Sequence, residues 1–116
     1  MSDDQPKQLS MEISCSDVHQ MREGGEQFVL LDCREPDEHE VVHIEGSMLL
    51  PMSELMARAG ELEEYRSQRL VVYCHVGGRS MQVAAWLRQR GFPEAQSMAG
   101  GIDAWAIQID PYLARY

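Results

Sequence analysis

Little in this sequence suits a membrane span, a disulfide framework or a nucleic-acid surface. Its apolar residues never run beyond five in a row, whereas a membrane span needs about 20 and the apolar stretch of a signal peptide roughly 7–15. Cysteine is scarce: Cys15, Cys33 and Cys74 are an odd number and no C-x-x-C occurs, so neither paired disulfides nor a four-cysteine zinc site is suggested. That usage fits a reducing compartment, and the expected location is the cytoplasm. Positive charge is also in short supply, with ten Lys and Arg against nineteen Asp and Glu for a formal net charge of −9. Such a balance disfavours attraction to nucleic acid or to anionic membranes, and neither is an expected partner.

With 116 residues, 44% of them hydrophobic, the chain suits one domain with its own core. Residues 1–9 are polar, contain a proline and show no periodicity, so they read as a flexible tail ahead of a single domain over residues 10–116. From Met11 onward, short apolar runs alternate with amphipathic stretches. Strands are expected at Met11–Ser14, Phe28–Cys33, Ser47–Leu50, Leu70–Cys74 and Ala95–Met98, followed respectively by helices at Ser16–Glu23, Pro36–Val42, Ser53–Tyr65, Ser80–Arg90 and Gly101–Ile107. The runs FVLLDC and LVVYC are continuously apolar, as in central strands of a parallel sheet covered on both faces. The class is α/β, with short connections.

Chemistry concentrates in Leu70-Val-Val-Tyr-Cys-His-Val-Gly-Gly-Arg-Ser80, a buried strand ending in a cysteine, then a loop, then a helix. Open α/β sheets bind ligands beyond the carboxyl ends of their strands, which is where Cys74 falls. A free thiol with pKa about 8.5 is only roughly 3% thiolate at pH 7, so a nucleophilic cysteine needs surroundings that stabilise the anion. The loop can supply them if Gly77 and Gly78 take positive φ, its N–H groups turn to the sulfur and Ser80 opens the helix. Hydrogen bonds to a charged group contribute about 1.5–3 kcal/mol each, against about 0.3–1 kcal/mol for the helix dipole, so loop N–H groups should dominate. Arg79 adds a planar fork of donors suited to a sulfonate, phosphate or carboxylate.

This loop is similar to the C-x-x-G-x-R-S signature of the rhodanese family. Two more segments resemble that family in the same order: Asp32-Cys-Arg-Glu-Pro-Asp-Glu38 followed by His43-Ile-Glu-Gly-Ser47, and Gly100-Gly-Ile-Asp-Ala-Trp105. The resemblance spans about Met11 to Ile107 and implies a three-layer fold, with a five-stranded parallel sheet flanked by helices. It also implies that Cys74 accepts a sulfur atom and carries it as a persulfide, that the N–H groups of His75, Val76, Gly77, Gly78, Arg79 and Ser80 form the cradle, and that the Arg79 side chain clamps an anion. The implied partners are a small anionic sulfur donor, such as thiosulfate, or a persulfide donor, and an acceptor that is a thiol, cyanide or a protein; no cofactor or metal is expected. Val42 stands where the family commonly has glycine. Cysteine-dependent phosphatases on related folds use C-x5-R; the C-x4-R here, from Cys74 to Arg79, favours a single sulfane sulfur over a tetrahedral phosphate or arsenate. A second implied possibility is a sulfur-relay or interaction module serving a partner protein, because Ile109-Asp-Pro-Tyr-Leu-Ala-Arg-Tyr116 is similar to the tails of rhodanese domains appended to cofactor-sulfurating adenylyltransferases.

Other residues carry weaker signals. Asp32 and Arg34 leave the second strand at the same sheet edge as the loop and are candidates to orient it. Cys33 could act as a resolving thiol, although a structural role is the stronger reading. His39 and His43 have metal-compatible spacing but no specified third ligand. Met48, Met52 and Met56 read as gap-fillers, and Gly100-Gly101 as a tight turn. Finally, residues 1–64 carry 16 acidic and 4 basic residues, whereas residues 65–116 carry 3 and 6. An acidic shell around a locally cationic pocket at Cys74 and Arg79 is therefore expected.

Overall fold

The computed structural model describes residues 9–116. The expected tail, apart from Leu9, lies outside them. Five strands, β1 (Glu12–Ile13), β2 (Val29–Asp32), β3 (Met48–Leu49), β4 (Leu70–Tyr73) and β5 (Ala95–Met98), form one sheet in the order β1-β5-β4-β2-β3. Every pairing is parallel. The helices are α1 (Cys15–Glu23), α2 (Pro36–Val41), α3 (Leu55–Arg58), α4 (Gly78–Gln89) and α5 (Gly101–Gln108). The α/β class and five-stranded parallel sheet are as the sequence implies.

Continuously apolar strands build two cores, because successive side chains leave opposite faces of a sheet. Leu70, Val72 and Cys74 point to one side with Leu31 and Cys33, against Val83, Ala84 and Leu87 of α4. Val71 and Tyr73 point to the other with Leu30, against Val18 and Met21 of α1 and Ile102 and Trp105 of α5. Helical layers thus cover both faces. The chain steps from β2 to β3 in one direction and from β4 to β5 in the other, so the order reverses between β2 and β4. Cys33 and Cys74 both follow strands at that reversal, where a crevice opens in such folds.

Two local expectations are corrected. The single helix expected over Ser53–Tyr65 is instead a short 3₁₀ turn (Met52–Glu54), α3, and a longer 3₁₀ segment (Ala59–Tyr65). Gly60 lies mid-segment and Glu61, Glu63 and Glu64 crowd the end where a helix dipole disfavours anions. Leu55 and Leu62 nevertheless reach the core. The other correction concerns α4, which opens at Gly78, two residues before Ser80, with Gly77 at φ 113° as its N-cap. Of the two loop glycines, Gly77 alone has positive φ.

Candidate functional site

Cys74 follows the central strand β4 and is only 1% exposed. The left-handed turn at Gly77 folds the chain back so that its N–H donates to Cys74 Sγ at 3.1 Å, and the Ser80 N–H donates from the first turn of α4 at 3.3 Å. Of the six N–H groups expected in the cradle, these two point at the sulfur. Ser80 adds its hydroxyl, 3.4 Å from Sγ, and shares a 2.7 Å hydrogen bond with the hydroxyl of Ser97 on β5. Both serines are fully buried, so their hydroxyls are fixed by one another and by the Gly77 carbonyl, 3.2 Å from Ser80 Oγ. His75 and Val76 form the outer part of the loop, with Val76 61% exposed.

The base of the loop is held from below by α5. The N–H groups of Ile102 and Asp103 donate to the carbonyls of Cys74 and His75 at 2.9 and 3.1 Å. Gly100 and Gly101, at φ 79° and 60°, allow that approach. A β-carbon on Gly101 would collide with both carbonyl oxygens. The expected tight turn is therefore also the platform on which the cysteine loop rests.

Arg79 does not present an open guanidinium. Its Nη1 and Nη2 donate to Glu38 Oε1 and Oε2 at 2.7 and 2.9 Å. Glu38 belongs to α2, in the acidic half of the sequence, so the locally cationic pocket expected from the charge distribution is corrected: a carboxylate neutralises its cation. Mainly through the hydrogen bonds from Arg79, then that from Tyr116 and its backbone bond, the Glu38 carboxyl is lowered to about 2, while burial works in the opposite direction. The Arg79 guanidinium is held more firmly protonated, chiefly by Glu38 and secondarily by the nearby Cys74.

Asp32 and Arg34 form a buried bidentate ion pair, Nε to Oδ1 at 2.9 Å and Nη2 to Oδ2 at 2.7 Å, with both side chains fully excluded from solvent. Burial would raise the Asp32 carboxyl, but hydrogen bonds from Arg34 and His39 hold it below its ordinary range. Arg34 also donates to the Val42 carbonyl at 2.6 Å and to the Tyr116 hydroxyl at 2.9 Å. Val42 serves in extended backbone, φ −160°, so the family's glycine is not required there. The pair reaches the cysteine loop only indirectly. The Tyr116 hydroxyl donates to Glu38 Oε2 at 2.7 Å, and its ring stacks on His75 with centroids 4.0 Å apart.

Cys33 is fully buried, and its thiol is pushed far up by burial, then by the neighbouring Cys74 and Asp32. That environment keeps it protonated. Cys15 is buried, and all three cysteines are free. His39 Nδ1 lies 2.7 Å from Asp32 Oδ2, and His43 Nδ1 lies 2.9 Å from the His39 carbonyl, with the two rings stacked. Met48 and Met52 fill space against the core, whereas Met56 is exposed. A cleft of about 560 Å³ lined by His19, Arg22, His43 and Trp105, among others, includes no residue of the cysteine loop. The cysteine loop therefore lies outside this cleft.

The rhodanese-like domain family model matches residues 14–108. The chain belongs to that family. A curated sulfurtransferase of Allochromatium vinosum is 35% identical over 103 residues, covering 89% of this chain and 94% of that protein. The probable adenylyltransferase/sulfurtransferase MoeZ of Mycobacterium tuberculosis is 35% identical over 94 residues, which is 81% of this chain but 24% of that protein. The chain thus spans about a quarter of MoeZ. Among solved structures, a rhodanese-related protein from Thermoplasma volcanium superposes with a TM-score of 0.78 at 28% identity, covering 92% of this chain and all of that one. The rhodanese fold is therefore common to this chain and its structural neighbours.

Glu38, Tyr116 and Ser97 join the site without a role expected from the sequence. Glu38 had one local sign: it stands three residues after Glu35, and the two form a capping box at the start of α2, with the Glu35 N–H donating to Glu38 Oε1 at 3.1 Å. Tyr116 closes the tail that resembles those of other rhodanese domains, which gives no sign of a contact with the site, and Ser97 has no signal.

Proposed function

We propose that the protein is a sulfurtransferase that moves a sulfane sulfur from thiosulfate, or from a protein or low-molecular-weight persulfide, to a thiophilic acceptor through a Cys74 persulfide. The observation that carries this reading is the Cys74 sulfur seated beneath the N–H groups of Gly77 and Ser80, just past the carboxyl end of the central strand of a rhodanese-like domain. Two donors converging on one sulfur suit an anion, whether thiolate or terminal persulfide sulfur. The Cys74 thiolate attacks the outer sulfur of the donor, the donor's S–S bond breaks, and sulfite or a thiolate departs with the bonding pair. Attack by the acceptor on the outer persulfide sulfur regenerates the Cys74 thiolate. Neither half requires a general base when nucleophile and leaving group are both anions. Three free thiols support the cytoplasm as the setting.

Incubation with thiosulfate and cyanide should yield thiocyanate, and Cys74→Ala should abolish it. Mass spectrometry of the donor-treated protein should locate one added sulfur on Cys74. Undiminished turnover by Cys74→Ala would sink the assignment. A relay module acting on a protein partner is the second reading, supported by the match to a quarter of MoeZ. It calls for slow turnover with thiosulfate and fast persulfide transfer to a protein acceptor.

A further inference from the structure

The arrangement around Arg79 bears on which donors can load Cys74. A small dianion such as thiosulfate is best held by an unpaired guanidinium, and the two arginines near the site are both engaged. Arg34 is fully buried, with Nε and Nη2 on Asp32, Nη2 also on the Val42 carbonyl, and Nη1 on Tyr116. Arg79 spends both terminal nitrogens on Glu38.

Nor is Glu38 a side chain at liberty to swing away. Oε1 accepts from the Glu35 N–H at 3.1 Å as well as from Arg79. Oε2 accepts from Tyr116, which is itself held by Arg34 and stacked on His75. The carboxylate is thus fixed by its own helix, by α4 and by the chain at Tyr116. Its side chain is 19% exposed and that of Arg79 36%, so the pair is open to solvent, and Arg79 is near enough to Cys74 to be held more firmly protonated by it. The same loop presents exposed Val76, an apolar surface compatible with an organic thiol.

From this geometry we infer that Glu38 is a specificity-determining residue: it shields Arg79 and directs Cys74 towards sulfane-sulfur donors of low charge, alkyl or protein persulfides, in preference to dianionic thiosulfate. The inference rests on Cys74 being the sulfur carrier. Thiosulfate must either take Arg79 from a carboxylate anchored on three sides or bind beside that carboxylate, and like charges so close repel. A persulfide R–S–SH needs no guanidinium. Cys74 thiolate attacks its outer sulfur, the S–S bond of the donor breaks, and R–S⁻ leaves with the electron pair. The product Cys74–S–SH keeps the proton and sits under the Gly77 and Ser80 N–H groups.

The test compares loading of Cys74 from thiosulfate and from the persulfide of 2-mercaptoethanol, whose organic part is uncharged, followed by mass spectrometry under single-turnover conditions. In Glu38→Gln the side-chain oxygen can still accept from the Glu35 N–H while the charge is gone. The ratio of second-order loading rates, thiosulfate over alkyl persulfide, should rise at least about tenfold in this variant, mostly through tighter thiosulfate binding. Tyr116→Phe, which removes one hydroxyl donor from Glu38 and leaves every charge in place, should move the ratio the same way by about two- to threefold. It also keeps the inference testable if Glu38→Gln folds poorly. A ratio that stays constant or falls in both variants would overturn the inference, since a Glu38 that merely orients Arg79 for thiosulfate requires such a fall. If neither donor adds sulfur to Cys74 in any of the three proteins, the sulfur-carrier reading fails and takes the inference with it; normal loading from the alkyl persulfide separates the two failures.

Discussion

Replacing Gly101 by alanine should be among the most damaging single-methyl changes available to this protein. Gly101 sits at φ 60°, in the left-handed region, and a β-carbon there would collide with the carbonyl oxygens of Cys74 and His75 and lie 2.6 Å from the His75 carbonyl carbon. The backbone conformation alone costs an alanine about 1–2 kcal/mol. Relieving the collision separates α5 from the loop, which sacrifices the Ile102 and Asp103 hydrogen bonds to those carbonyls. A buried acceptor left without a partner costs about 1–3 kcal/mol, so with the conformational cost the total is about 2–5 kcal/mol out of the roughly 5–15 kcal/mol typical of a domain. Gly25 supplies the control: its φ is 71°, but nothing lies within 4 Å of a β-carbon there, so Gly25→Ala should cost only the conformational part, about 1–2 kcal/mol. Urea unfolding of both variants isolates the collision as their difference, about 1–3 kcal/mol. Gly101→Ala should also slow sulfur loading of Cys74, because the displaced carbonyl belongs to the proposed nucleophile. A difference between the variants below about 1 kcal/mol, with equal m-values, would refute the platform role of the glycine pair.

Arg34→Ala should destabilise the fold by about 3–5 kcal/mol in denaturant titrations, because it leaves the Asp32 carboxylate buried with its main partner removed; a loss under about 1 kcal/mol would contradict the structural weight given to this pair. The Glu38–Arg79 pair carries a pH signature. A carboxyl lowered from 4.5 to about 2 in the folded protein favours folding above pH 4.5, and that contribution is lost as the pH falls from 4.5 towards 2. Taken at face value the shift corresponds to about 3 kcal/mol, but Arg79 is 36% exposed and solvent screening reduces it to about 1 kcal/mol. The stability advantage of the wild-type protein over Glu38→Gln should therefore be constant above about pH 5 and vanish near pH 2, and an advantage that persists at pH 2 would assign it to packing instead.

Much of the fold was legible because its signals are local. Continuous apolar runs marked β2 and β4, Pro36 marked the start of α2, and the glycines around residue 100 marked the entry to α5. The helix expected at Ser53–Tyr65 failed for an equally physical reason. Its glutamates fall where a helix dipole opposes them, so tertiary burial of Leu55 and Leu62 shapes that segment more than propensity does. The cysteine loop was legible as one contiguous stretch, yet its six candidate N–H donors reduce to two that point at the sulfur. Which amide turns inward depends on the single left-handed residue, Gly77, and two adjacent glycines do not reveal which of them will turn.

Composition could not reveal how the charges pair. Splitting the chain into an acidic and a basic half correctly locates Arg79 among cations in sequence, but Arg79 meets Glu38 across 41 residues and Glu38 meets Tyr116 across 78. Those distances close because β2 and β4 are neighbours, so that α2, which follows β2, lies beside the loop that follows β4. Asp32, Arg34, Tyr116, Glu38 and Arg79 then form one alternating chain of donors and acceptors from the sheet edge to the cysteine loop. Each member is satisfied by the next, so removing the charge of one alters how tightly its neighbours are held. The net charge near Cys74 is consequently a property of the sheet order. On the proposed reading, a substitution on α2 changes donor selection at the cysteine that follows β4 without touching the sulfur.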